Sequence, residues 1–186
     1  MKNKKTQALI PWLDTISQFF DTFRIGTAVN DLFNVMRIED QAKGKLLFMP
    51  LFRGNFFRIL ICKTQGPRFL LPDETIYTSA NSIYFTYPGK MESWQREETI
   101  YGYLICFTSE FAGIDPLKPK FEKDYPFFMR GANSLLRLSQ QDMDKVSHTA
   151  ETLLLEMKSG QEDNFEMMQT LLKVLLIQIR RLYYKD

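Results

Sequence analysis

The chain reads as a mainly β fold with added α structure: one antiparallel barrel or jelly roll, preceded by a short helix and followed by a pair of helices. Three observations predict it. Between Leu32 and Phe107 the apolar residues fall in short period-two runs broken by glycine, proline and asparagine turns, as they do in antiparallel sheets. After Ser139 the apolar spacing changes to three and four, which is helical. Finally, 16 Phe and 8 Tyr in 186 residues favour β-structure packed on aromatic side chains.

The elements follow in order. Asp14 to Phe23 is predicted to be a short helix: Asp14 can cap the first amides, Ile16, Phe19, Phe20 and Phe23 share one face, and Gly26 follows. Its apolar face should dock on the barrel. Strands are expected at Phe33 to Ile38, Lys45 to Phe52, Phe56 to Thr64, Phe69 to Leu71, Thr75 to Tyr77, Ser82 to Tyr87, Met91 to Gln95 and Tyr101 to Phe107. Gly44, Gly54, Gly66-Pro67, Pro72-Asp73, Asn81 and Pro88-Gly89 supply the turns between them. Pro116, Pro119 and Pro126 then exclude a long helix from the connector.

The first closing helix begins at a capping pattern, Ser139 with Asp142, carries Met143, Val146, Ala150, Leu153 and Met157 on one face, and stops at Gly160. The second begins at Asp163 and Glu166 and runs to about Tyr184, with Met168, Leu171, Leu172, Leu175, Ile179 and Leu182 on one side. Val174, Leu176 and Ile177 widen its apolar stripe beyond what one contact surface needs. That width calls for cover on two sides, either by the preceding helix and the barrel within one chain or by a partner subunit; the second is the expectation, a homodimer with Leu171, Leu175, Ile179 and Leu182 as contact residues. The chain is thus organised as one domain: an N-terminal segment 1–44, a barrel core 45–112, a connector 113–138 and a helix pair 139–186.

Composition narrows the function. With 24 basic and 22 acidic residues the net charge is +2, so no global electrostatic case for nucleic acid exists. The basic clusters, Lys2, Lys4 and Lys5 and then Arg180 and Arg181, are short and terminal. No signal peptide is read at the N-terminus, where Asp14 and Asp21 interrupt any apolar run. No stretch reaches the roughly 20 apolar residues of a membrane helix, so the expected location is the cytoplasm. Cys62 and Cys106 lie in apolar strand patterns and are read as buried free thiols.

Catalytic signals are missing. The single histidine, His148, sits in a predicted helix beyond the barrel, whereas a barrel metal site needs several imidazoles and a carboxylate around one ion. No nucleophile elbow, phosphate-binding loop or cysteine–histidine pair is present. Neither a metal nor another cofactor is therefore expected, and the chain is read as a non-enzyme. Arg58 interrupts an otherwise apolar strand, where a charge facing the core needs a partner. It either holds an anionic ligand group, faces solvent, or pairs with Glu92 or another acid. Tyr84, Trp94 and Tyr103 are candidate aromatic walls, giving Arg58, Tyr84, Glu92, Trp94 and Tyr103 as the candidate ligand-binding set.

Three segments in order, Tyr87-Pro88-Gly89-Lys90-Met91-Glu92-Ser93-Trp94, Tyr101-Gly102-Tyr103-Leu104-Ile105-Cys106-Phe107 and Phe111, carry a family resemblance. With Asn55-Phe56-Phe57-Arg58-Ile59-Leu60 upstream and Tyr125-Pro126-Phe127-Phe128 downstream, they resemble the sensor domain of AraC-type transcription regulators. The likeness covers about residues 45 to 186, and Ile10 to Asp40 more loosely. It implies a cupin-like barrel binding a small-molecule effector, dimerisation through the closing helices, and DNA binding through a C-terminal helix-turn-helix domain absent from this sequence. Gly54, Arg58 and Glu92 stand where the family carries histidine, glutamate and histidine, which removes the metal constellation. The alternatives are a metal-independent cupin-like enzyme of the isomerase or epimerase kind, or a dimerisation module without a ligand.

Overall fold

The computed structural model describes residues 10–41 and 47–185. The lysine cluster at Lys2, Lys4 and Lys5, the turn at Gly44 and the expected strand start at Lys45 lie outside the described residues. Along the chain the elements are β1 (Trp12–Leu13), α1 (Ile16–Phe23), β2 (Phe33–Arg37), β3 (Phe48–Gly54), β4 (Phe57–Cys62), β5 (Arg68–Leu70), β6 (Thr75–Tyr77), β7 (Ser82–Thr86), β8 (Met91–Gln95) and β9 (Gly102–Phe107). They continue with α2 (Ser109–Ala112), α3 (Lys120–Asp124), β10 (Leu135–Arg137), α4 (Gln140–Ser159) and α5 (Asn164–Tyr183).

The strands form two five-stranded sheets, in the orders β1-β3-β8-β5-β6 and β10-β7-β4-β9-β2. All neighbours are antiparallel except β1 and β3, which pair in parallel over two residues. No ladder joins the sheets among the described residues, so the β unit is a jelly-roll-like sandwich rather than a closed barrel. The helix pair covers the far side of the second sheet, giving three layers with that sheet in the middle.

Period two sorts the central sheet's side chains between the two cores. On the helix side, Phe57, Ile59 and Ile61 of β4, Ile83 and Phe85 of β7 and Ile105 and Phe107 of β9 join Val146, Leu153, Leu172, Leu175 and Ile179 in one cluster. The alternate residues, Arg58, Leu60, Tyr84, Thr86 and Leu104, face the other sheet. Both faces being covered, every residue of β7 is buried, which an alternation of buried and solvated positions does not anticipate.

Helix α1 closes one end of the sandwich. Its cap is Thr15 rather than Asp14: the Thr15 hydroxyl accepts from the Gln18 amide at 3.2 Å, and the Gln18 side chain accepts from the Thr15 amide at 3.4 Å. This is the reciprocal capping box. As expected from their spacing, Ile16, Phe19, Phe20 and Phe23 dock on the sandwich, against Phe52 and Phe56. Ser139 caps α4 and left-handed Gly160 ends it, whereas Asp163 makes no side-chain cap bond at α5. Two short strands escape the sequence pattern, β1 and β10, which lie outside the turn-punctuated run from Leu32 to Phe107. No described helix is long and apolar enough to cross a membrane.

One glycine is dictated by packing. Gly102 opens β9 at φ +153°, and a Cβ there would lie 1.9 Å from the Ile61 carbonyl oxygen of the adjacent strand. Gly102→Ala is therefore expected to cost about 3 kcal/mol or more from backbone strain and overpacking, a fall in Tm of roughly 10 °C. Thermal unfolding by circular dichroism checks it; an unchanged Tm would show that β9 approaches β4 less closely.

Candidate ligand site between the sheets

The space between the sheets holds a buried ion pair. Arg58 on β4 is 5% exposed and Glu92 on β8 is fully buried, and the Arg58 Nη2 lies 2.6 Å from Glu92 Oε1. The central sheet supplies two more donors to the same carboxylate. The Tyr84 hydroxyl donates to Oε2 at 3.3 Å and the Thr86 hydroxyl at 3.1 Å. Their positions follow from register: Tyr84 and Thr86 are two apart on β7, and Thr86 is directly across from Arg58.

Arg58 is otherwise enclosed by aromatic faces, its guanidinium carbon 4.7 Å from the Phe52 ring centroid, 5.2 Å from Phe19 and 5.9 Å from Phe56. Cation–π contacts of this kind stabilise a desolvated guanidinium but satisfy no N–H in its plane. The pairing with Glu92 is close yet off the hydrogen-bond axis, so Nε and Nη2 of Arg58 make no well-formed hydrogen bond among the described residues. Such buried donors are uncommon and costly.

Burial and charge perturb the surrounding groups. Burial, reinforced by the Glu92 charge, pushes the Tyr84 hydroxyl above its ordinary range, so it stays a donor. Burial lowers the Lys90 ammonium, which donates to Ser134 Oγ at 2.8 Å and lies 4.6 Å from the Tyr84 ring centroid. Tyr84 in turn stacks on Phe69, with centroids 3.7 Å apart and planes at 15°. Cys106, next to the site on β9, is pushed up to about 12 by burial and is a packing residue.

Next to the ion pair lies a small cavity. Leu60, Ile100, Leu104 and Trp94 give it apolar walls, and Arg58 and Glu92 form its polar end. Pro67 and Arg96 line both this cavity and a wider, more polar depression containing Arg68, Tyr77 and Gln95, so they mark its mouth. The cavity offers about 40 Å³ to the centres of water-sized spheres. At roughly 10–15 Å³ per water on this measure, it takes about three waters.

Four of the five sequence-selected residues, Arg58, Tyr84, Glu92 and Trp94, meet here. Tyr103 does not. It pairs with Ile61 across β4 and β9, on the helix side of the sheet, where its hydroxyl donates to Glu151 of α4 at 2.8 Å. Arg37 of β2 also binds Glu151, through Nε at 3.0 Å and through Nη2. Tyr103 is thus a link between sheet and helix, not a cavity wall. Parity carried the signal, since Arg58 pairs with Cys106 and its face continues to Leu104. Sequence reasoning also missed Thr86, legible two residues after Tyr84, Phe69, which β5 places opposite Trp94 of β8, and Arg96 and Ile100, which follow β8 in the connection to β9.

The four residues expected at a dimer contact divide into two kinds. Leu175 and Ile179 are fully buried in the chain's own core against the central sheet, so they present no surface to a partner; Leu171 and Leu182 are half-buried at its margin. The large exposed apolar residues of the helix pair are Leu155, Phe165, Met167 and Val174. Among the described residues no group of three or more His, Cys, Asp or Glu could hold a metal ion.

No family model matches this chain, and no curated protein matches it. Solved structures to which its fold is similar include CuxR and ToxT. The AraC-like transcriptional activator CuxR is 11% identical, with a TM-score of 0.39 over 66% of this chain and 42% of that one. An apo variant of ToxT from Vibrio cholerae strain SCE256 is 13% identical, with a TM-score of 0.45 over 80% of this chain and 53% of that one. Unsaturated fatty acid-bound wild-type ToxT from the same strain is 12% identical, with a TM-score of 0.39 over 83% of this chain and 55% of that one. The chain spans about half the length of the solved structures it matches.

Proposed function

We propose that this chain is the effector-sensing and dimerisation part of an AraC-type transcription regulator, a binding module rather than a catalyst. The observation that carries the reading is the Arg58–Glu92 pair, sequestered in an apolar cavity whose inner wall is the sheet that carries the closing helices on its other face. Burying an ion pair confers little net stability compared with well-packed apolar residues, so a ligand-binding role accounts for its presence better than a structural one. The motif order from Tyr87 to Phe111 agrees with this reading.

The mechanism is a population shift. A ligand seated against β4 and β7 favours one arrangement of the central sheet, and the Tyr103–Glu151–Arg37 contact passes that preference to α4. The ligand acts only in so far as it binds one arrangement better than another. A DNA-binding domain outside this sequence reads the result, and a second copy pairs along the outer seam of the helices through Leu155, Met167 and Val174. The module works in the cytoplasm.

A thermal-shift screen of small metabolites, repeated on the cavity-filling variant Leu104→Trp, tests the reading. A true effector at about one hundred times its Kd should stabilise the parent by about 2.7 kcal/mol, slow amide exchange in α4, and do neither in the variant. A filled variant more stable than a parent that binds nothing would identify a collapsed structural core instead.

A further inference from the structure

The Arg58 guanidinium is nine-tenths buried, lines the cavity, and has Nε and Nη2 without well-formed hydrogen bonds among the described residues. Glu92 is by contrast saturated: Arg58, Tyr84 and Thr86 all approach it. The unmet demand is therefore for an acceptor, and for one that carries charge, because three buried cations, Arg58, Lys90 and Arg96, stand around this site against one buried carboxylate among the described residues.

We infer that the cavity takes a short-chain organic monocarboxylate, held by the Arg58 guanidinium with its hydrocarbon end among Leu60, Ile100, Leu104 and Trp94. This deepens the effector reading and rests on it. The planar guanidinium presents paired donors that match a carboxylate. The apolar walls favour an organic acid over an inorganic ion, whose hydration would be lost without replacement. Volume sets the length: space for about three waters corresponds to a ligand on the order of four to six non-hydrogen atoms, the size of acetate through butyrate. Longer acids require the sheets to part.

Bound carboxylate and Glu92 share one guanidinium, so they compete. Removing the Glu92 charge while keeping its shape must strengthen carboxylate binding, whereas a site reading only shape would not respond. The experiment titrates the full 186-residue chain with butyrate and with butyramide at constant ionic strength, by calorimetry, for the parent, Glu92→Gln and Arg58→Gln.

The expected result is butyrate binding at least about tenfold tighter than butyramide in the parent, a difference of 1.4 kcal/mol. Glu92→Gln should widen that preference about tenfold more, and Arg58→Gln should abolish it. If Glu92→Gln is too unstable to titrate, recovery of its fold by butyrate and not by butyramide gives the same answer. Butyramide binding as tightly as butyrate, to both the parent and Glu92→Gln, overturns the carboxylate inference and leaves an effector site. Binding of neither compound to either protein overturns the inference too, and with it the effector reading for ligands of this size.

Discussion

Glu92→Ala alone should destabilise the protein by about 3–5 kcal/mol, because it leaves the Arg58 charge buried without its partner. Arg58 has little access to water where it lies, packed over Phe19, Phe52 and Phe56. The same change strips Tyr84 and Thr86 of their common acceptor, and each unpaired hydroxyl adds to the cost. For a chain of this length the loss amounts to a fall in Tm of roughly 10 °C. Replacing both partners together, Arg58→Met with Glu92→Leu, should recover most of it, since a buried ion pair exchanged for apolar groups of similar volume is often neutral or stabilising. Urea denaturation of the two single variants and the double variant measures the coupling. A single-variant cost below about 1 kcal/mol would mean that Arg58 reaches solvent on losing Glu92, and the pair would no longer be a sequestered feature on which a binding site can be founded.

That pair also shows how far the sequence can be read. A charged residue inside Phe56 to Cys62 had to be either solvated or partnered, and Glu92, from a strand of the facing sheet, is the partner found. Local pattern identified the anomaly but could not choose among the outcomes, because the choice depends on which sheet faces which. The same limit explains Tyr103. Its aromatic character and its strand were legible, yet its face depended on the pairing of β9 with β4, where a shift of one residue reverses every side chain. Strands long enough to repeat, such as β4, β7 and β9, were found to within a residue or two, and the short β5 and β6 were marked by the turns on either side, whereas β1 and β10 have neither a period nor that punctuation. Thr15 displaced Asp14 as the cap because the reciprocal bond with Gln18 needs the donor three residues on. The cavity mouth was unreadable, since Pro67 and Arg96 are brought together only by tertiary structure.

The helix pair tests the division between core and partner surface. Leu175 lies at zero exposure among Val146, Leu153, Leu172 and Ile179, so Leu175→Ala should cost about 2–5 kcal/mol through lost burial and the cavity left behind. Val174, the adjacent residue, points away from that core and is 42% exposed; Val174→Glu should change the stability of the single chain by no more than about 0.5 kcal/mol. Association should respond in the opposite sense. A carboxylate introduced on the α5 face that carries Met167, two turns away, would be desolvated by a second copy seated on this seam, and burying an unpaired charge is expensive. Light scattering should therefore show a dimer for the parent and a monomer for Val174→Glu, with identical far-ultraviolet circular dichroism. The pair of glutamates at 175 and 179 that the helical stripe alone suggests would instead unfold the chain, and could not distinguish an interface from a core. Should Leu175→Ala leave chain stability untouched while dissociating a dimer, α5 packs against a partner and not against its own sheet. Should Val174→Glu remain dimeric, the pairing surface lies off the helix seam.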